Sequence, residues 1–213
     1  METEVEQFRR ALGLNSEEFG VELQAVHLEQ LISYYELLLK WNPKLHLVAP
    51  CSPEEFAVRH ILESLTLLKH LPTNARVADV GTGAGLPLIP CLLMRDDLHG
   101  VLIESSQRKA AFLKEALRPI EPPGRTQLIV ARFGDVPCPD VTFITCRALD
   151  KFSELLPKLI DWGRLGDVTY LLFVGESLLE EITPLLQVNA IERIPQSEKR
   201  FLVTARVGES QPR

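Results

Sequence analysis

The run Val77-Ala78-Asp79-Val80 breaks at once into Gly81-Thr82-Gly83-Ala84-Gly85 and then Leu86-Pro87. A short apolar strand entering three closely spaced glycines ahead of an apolar helix makes a turn whose backbone can approach a ligand closely. Glycine tolerates positive φ there and carries no Cβ. Such a turn belongs to an α/β sheet, and the rest of the chain has to be read for the strands and helices that complete it.

After that turn, strand-like and helix-like runs alternate. Arg76–Val80 is the first strand, and Leu86–Met94 is helical, with Pro87 and Pro90 near the first turn, where a missing N–H costs little. Val101–Ile103 is the next strand and Ser106–Leu117 the next helix, and Gln127–Ala131, Val141–Cys146 and Thr169–Val174 are further strands. Lys151–Ile160 and Ser177–Leu186 are helices, and Val188–Ile194 with Phe201–Val207 form an antiparallel closing pair. This alternation predicts a parallel, doubly wound sheet. Residues 1–72 instead read as a helical extension, with 73–213 as the sheet domain. Leu28, Leu31, Ile32, Tyr35, Leu38 and Leu39 mark one buried helix face, which Asn42-Pro43 ends. Ser52, Pro53 and Glu55 give a second helix its N-cap, first position and capping box; its apolar face is Val58, Ile61, Leu62, Leu65 and Leu68, and Leu71-Pro72 ends it.

Composition narrows the function classes. Lys plus Arg total 23 against 29 Asp plus Glu, a net charge of −6, which excludes a protein that coats nucleic acid by bulk charge but allows a local basic patch. The start, Glu2-Thr3-Glu4-Val5-Glu6, is acidic where a signal peptide is basic, and no apolar run has bilayer length, so a cytoplasmic protein is expected. Cys51, Cys91, Cys138 and Cys146 form no CxxC pair and the histidines no HxH or HExxH pair, so neither a disulfide framework nor a metal site is expected.

The chemistry concentrates at strand ends. The loop spacing is GxGxG; a GxGxxG dinucleotide fingerprint needs a glycine where Leu86 stands. GxGxG after an acidic strand end is the usual mark of S-adenosylmethionine enzymes, whose ligand has no pyrophosphate to seat on a helix N-terminus. Glu104, at the end of the second strand, is placed to accept hydrogen bonds from both ribose hydroxyls of an adenosine. Arg147, ending the fourth strand, is placed to hold a carboxylate or phosphate bidentately. The plainer readings of these residues are a strand-to-helix turn and two solvated charges.

Together with the N-terminal helices, these residues resemble the RsmG (GidB) family. The resemblance covers roughly residues 25–207: Tyr35 through Trp41-Asn42 and Leu47, then Val58-Arg59-His60-Ile61-Leu62-Glu63-Ser64, the glycine loop, Glu104-Ser105 with Lys109-Ala110-Ala111-Phe112-Leu113, Cys146-Arg147-Ala148, and Lys199-Arg200-Phe201-Leu202-Val203. It implies a Rossmann-like S-adenosylmethionine-dependent methyltransferase sheet with an N-terminal helical extension, in a monomeric enzyme. The activity implied is methyl transfer to N7 of a guanine in 16S rRNA of the small ribosomal subunit. Carried over by position, Gly81 and Leu86 line the methionine end, Glu104 the ribose, and Phe133 and Gly134 the adenine, with Gly83, Gly85 and Arg147 also in the cofactor-binding set. Arg147 is the catalytic candidate at the cofactor–substrate junction. Basic residues flanking the cleft, Arg59, His60, Lys199 and Arg200, are the RNA-binding candidates.

Four positions depart from the family pattern: Leu88 stands for a glycine, Gly134 for an acidic residue (with Asp135 next), Val174 for a lysine, and His46 for an asparagine. Guanine N7 has a free lone pair, so methylation there needs orientation and water exclusion but no general base. The alternatives are a methyltransferase of another substrate, or a degenerate member that binds cofactor or ribosome without efficient catalysis.

Overall fold

The computed structural model describes residues 2–120, 122–147, 152–164 and 166–208. Ala148 and Lys151, at the expected end of the fourth strand's motif and start of the following helix, lie outside the described residues.

Among the described residues one seven-stranded sheet has the order β3-β2-β1-β4-β5-β7-β6. The strands are β1 (Arg76–Val80), β2 (His99–Ile103), β3 (Thr126–Ile129), β4 (Phe143–Arg147), β5 (Thr169–Gly175), β6 (Gln187–Arg193) and β7 (Arg200–Arg206). The first five pair in parallel, and β7 joins β5 and β6 antiparallel, as the closing pair predicts. The antiparallel pair arises because the chain returns from β6 to β7 through a tight connection instead of a crossover helix.

Alternation along each strand sends side chains to two cores. On one face, Val77, Leu102, Leu171 and Phe173 join the N-terminal helices α1 (Glu4–Asn15) and α2 (Ala25–Leu45). The segments at 53–70 and the helices α5 (Leu88–Met94) and α6 (Gln107–Leu117) complete that core. On the other face, Ala78, Val80, Ile144, Cys146, Leu172 and Val174 pack with α7 (Phe152–Gly163) and α8 (Glu176–Ile182). Burial on both faces is why these strands read as continuous apolar runs.

Two expectations need correction. Asn42-Pro43 does not end α2: Pro43 sits in its last turn, and the helix stops at His46, in the left-handed conformation (φ 49°, ψ 52°). One lost N–H in a last turn costs less than abandoning a stripe that buries Leu31, Ile32, Tyr34, Tyr35 and Leu38. Asn42 then caps the exit, its Oδ1 accepting the Val48 N–H at 3.0 Å. Asparagine, the residue the family resemblance gives at position 46, and histidine are both among the side-chain-bearing residues enriched in that conformation.

The second helix is a composite of α3 (Pro53–Phe56), a π-helical turn (Ala57–Leu62), α4 (Glu63–Leu65) and a 3-10 turn (Thr66–His70). Ser52 caps it by accepting the Glu55 N–H at 3.1 Å, but the reciprocal half of the capping box is missing, because the Glu55 carboxylate turns to Arg59. The Leu88 departure is accommodated across the core. A Cβ on Gly100 of β2 would lie 2.8 Å from Leu92 Cδ1 and 3.1 Å from Leu88 Cδ2, so glycine there makes the room that leucine occupies.

Candidate functional site

The glycine loop leaves β1 with Gly81, Gly83 and Gly85 all at positive φ (71°, 58° and 87°). It is tied back to the sheet by Gly81 and Thr82, whose N–H groups donate to the Ile103 carbonyl at 2.9 and 3.2 Å. The third glycine serves packing. A Cβ at position 85 would lie 2.3 Å from Ile89 Cδ1, so it lets α5 start directly against the loop. Leu86 is buried behind the turn.

Glu104 meets this loop from β2. Its Oε2 accepts the Gly83 N–H at 3.0 Å and its Oε1 the Ser106 N–H at 2.7 Å, with the side chain buried. Each oxygen keeps a further acceptor position, since a carboxylate has about four. Beside these residues opens a cleft of about 700 Å³ lined by Gly81, Ser105, Phe133, Gly134, Asp135 and Lys158, among others. Phe133 is set on edge against Trp162 (5.7 Å, 71°), whose Nε1 donates to the Val136 carbonyl at 2.7 Å. A Cβ on Gly134 would meet nothing within 4 Å, and Asp135 brings to the same wall the acidic group that position 134 lacks.

Two further residues brace the loop, of which sequence reasoning passed over one, Tyr34. Tyr34 of α2 is buried and donates its hydroxyl to the Ala84 carbonyl at 2.7 Å, so the N-terminal helices hold the loop directly. Asp79 is buried beneath it and accepts the Thr82 hydroxyl at 2.6 Å. Burial raises the Asp79 carboxyl to about 7, against the lowering influence of that hydrogen bond. The acid before the loop was visible in the sequence; Tyr34 carried no signal beyond its place on an apolar stripe.

Arg147 stands one strand over. Its guanidinium lies 5.8 Å from the Phe173 ring centroid, donates to Ser64 Oγ at 3.4 Å and to the Arg59 carbonyl, and lies 3.7 Å from Glu63 Oε1. Burial lowers its pKa, opposed by the Glu63 charge. Of the four candidates for RNA contact, Arg59, Lys199 and Arg200 line one open groove of about 490 Å³ with Gln196, Ser197 and Glu198. His60 stands apart. It is half-buried with its ring 5.0 Å from Phe56, and burial among Arg147, Arg59 and Arg200 lowers it to about 3, which leaves it neutral at neutral pH.

The sheet order sets these pieces in a row along the carboxyl ends of the parallel strands, where open α/β sheets bind ligands. The Phe133–Asp135 turn follows β3, Glu104 follows β2, the glycine loop follows β1, Arg147 ends β4 and Arg200 opens β7. The cleft beside the glycine loop is at one end, the basic groove at the other, and Arg147 between them.

Comparison with known proteins gives the family and the fold. The GidB family profile, rRNA small subunit methyltransferase G, matches residues 27–206. The protein named ribosomal RNA small subunit methyltransferase G of Geobacter sp. (strain M21) is 36% identical over 126 residues, 59% of this chain and 58% of that protein. Those of Chromobacterium violaceum and Halorhodospira halophila are 33% and 32% identical, covering 83% and 93% of this chain and 84% and 97% of theirs. Among solved structures, a SAM-dependent methyltransferase from Aquifex aeolicus shares the fold at 17% identity, with TM-score 0.56 over 74% of this chain and 94% of that one. TYW2 of M. jannaschii, solved in complex with AdoMet, shares it at 18% identity, with TM-score 0.53 over 69% of this chain and 74% of that one.

Proposed function

The chain belongs to the GidB family, rRNA small subunit methyltransferase G, and from that premise we propose that it methylates N7 of a guanine in 16S rRNA with S-adenosylmethionine as donor. The observation that carries the reading is the row along the sheet's carboxyl edge, which sets a nucleoside-sized cleft and a basic groove on either side of one half-buried arginine, Arg147.

The residues present fit the cofactor. The cleft falls within the usual volume of a small-molecule site. Gly81 lines it without a side chain, and both Glu104 oxygens retain acceptor capacity beside the loop. S-adenosylmethionine supplies, when bound, an electrophilic methyl group on a sulfonium. Gly81, Gly83, Gly85 and Leu86 form the loop at its methionine end, Glu104 takes the ribose hydroxyls, and Phe133 and Gly134 flank the adenine, with Asp135 an acceptor for its amino group.

The chain needs no general base, because the N7 lone pair is free. What it supplies is alignment and exclusion of water. Arg147, fixed by Ser64, the Arg59 carbonyl and Phe173, holds the substrate at the junction. Arg59, Lys199 and Arg200 take backbone phosphates, and His60 packs behind them. An unstacked loop base suits this edge better than a duplex does. The net acidity of the rest of the surface favours docking on an assembled small subunit over wrapping free RNA. The working form is a cytoplasmic monomer that uses no metal, and residues 1–72 fold with 73–213 as one unit through their shared core.

Tritium transfer from S-adenosylmethionine to under-methylated small subunits, with nucleoside mapping, tests the reading. The expected product is 7-methylguanosine in 16S rRNA. Tight cofactor binding without rRNA labelling would replace it with another substrate or a non-catalytic role.

A further inference from the structure

Glu63 is a charged residue in the middle of an apolar helical segment, and it is only 2% exposed. A carboxylate so placed costs several kcal/mol unless cations surround it. Two guanidiniums do so, Arg147 at 3.7 Å from Oε1 and Arg200 at 3.5 Å from Oε2, with Arg59 one helical turn away. Both distances exceed hydrogen-bond length, and Oε2 accepts no hydrogen bond among the described residues. The carboxylate therefore attracts the guanidiniums without saturating them.

Their other bonds fix direction. Arg147 is pinned on Ser64 Oγ and the Arg59 carbonyl, and Arg200 donates from Nε to Ser197 Oγ at 3.2 Å. The Arg59 carbonyl lies in the π-helical turn Ala57–Leu62, a local widening of a helix that recurs at functional sites. Two guanidiniums face the one Glu63 carboxylate, Arg59 is paired with Glu55, and Arg59 and Arg200 reach the open groove that also holds Lys199 and Glu198.

We infer that Glu63 is a positioning residue that aims Arg147 and Arg200 as a preset pair, leaving them enough charge and donor capacity to clamp a phosphate of the RNA substrate. The inference rests on the rRNA reading above and adds to it the residue that organises the clamp. Glu63 touches neither substrate nor cofactor. Its carboxylate limits the positive charge of the cluster while fixing its shape, so removing that charge strengthens electrostatic attraction for RNA and loosens alignment.

Glu63→Gln, which keeps size and removes charge, separates the two effects. On small subunits, kcat should fall at least tenfold while KM for the subunit stays equal or drops. The cofactor Kd should remain within twofold of wild type, and Glu63→Asp should recover at least half of the lost rate on a logarithmic scale. A wild-type kcat in Glu63→Gln, or a parallel loss of cofactor affinity, overturns the inference. If Glu63→Gln fails to fold, Arg200→Gln decides: subunit KM must rise at least fivefold with cofactor affinity kept, and an unchanged KM overturns it. If the wild type methylates no rRNA, the underlying reading fails by itself. The clamp then stands or falls on binding of a 16S rRNA fragment at low salt, which Glu63→Gln must tighten; equal or weaker binding overturns it.

Discussion

Replacing Glu104 by glutamine tests the cofactor site at its most committed residue. Each carboxylate oxygen already accepts one backbone N–H, from Gly83 at 3.0 Å and from Ser106 at 2.7 Å, which leaves about two of its four acceptor positions for a ribose diol. Glutamine keeps the shape and one acceptor oxygen. Its NH2 group must then face either the Gly83 or the Ser106 N–H, donor against donor. On the ligand side one charge-assisted hydrogen bond is lost, about 1.5–3 kcal/mol, or roughly 10- to 150-fold in affinity. On the protein side one backbone N–H loses its partner, about 1–3 kcal/mol, which for a chain of this size lowers the melting temperature by roughly 2–12 °C. Calorimetric titration with S-adenosylhomocysteine and a thermal melt read the two separately. Weaker binding together with a lower melt is the expected pair. A lower melt with cofactor affinity within twofold of wild type would make Glu104 a strut for the glycine loop and nothing more, and the ribose assignment would fall.

Three further outcomes follow from the site. Tyr34→Phe removes the hydroxyl that holds the Ala84 carbonyl and should weaken cofactor binding several-fold at a stability cost of about 1–3 kcal/mol; unchanged binding in the same titration separates α2 from the loop. Gly85→Ala adds a Cβ at φ 87° and 2.3 Å from Ile89 Cδ1, which should cost about 2–5 kcal/mol from the disfavoured conformation and overpacking, read as a loss in the denaturation midpoint. His60 is held neutral at about 3 in the folded protein against an ordinary value of 6.5, so its contribution to stability is whole above pH 6.5 and is lost as pH falls towards 3; His60→Phe should flatten that limb of a melting-temperature profile, and an unaltered profile refutes the burial argument.

The sheet was legible because its central strands β1, β2, β4 and β5 are buried on both faces and read as apolar runs, so strand positions held to within a few residues. The Glu63 cluster was not legible as a cluster. Its members lie at positions 59, 63, 147 and 200, and periodicity cannot show that β4 and β7 bring the last two to one helix. The end of α2 was misread for a related reason. Local propensity stops a helix at Pro43, while tertiary burial of the stripe before it carries the helix one turn further. His60 shows the same limit from the other side: a histidine beside an arginine reads as a basic pair, but its ring turns inward against Phe56.

Val174 stands where the family usually carries a lysine, and strand geometry explains how this chain holds a valine there. Side chains alternate along β5, so Phe173 faces the N-terminal helices beneath Arg147 while Val174 faces the α7–α8 core, where it is 4% exposed. An ammonium at that position would have to reach out of an apolar core. Antiparallel pairing supplies a cation by another route. Val174 is opposite Phe201 and Gly175 opposite Arg200, so β7 delivers a guanidinium to the carboxyl edge one position beyond the valine. On the other side of β5, Arg147 is in register with Phe173. The strand that has lost its own cation thus runs out between two arginines, and both lie within 3.7 Å of the same Glu63 carboxylate. The positive charge at this edge is held by neighbouring strands, so the substitution at 174 does not by itself remove it.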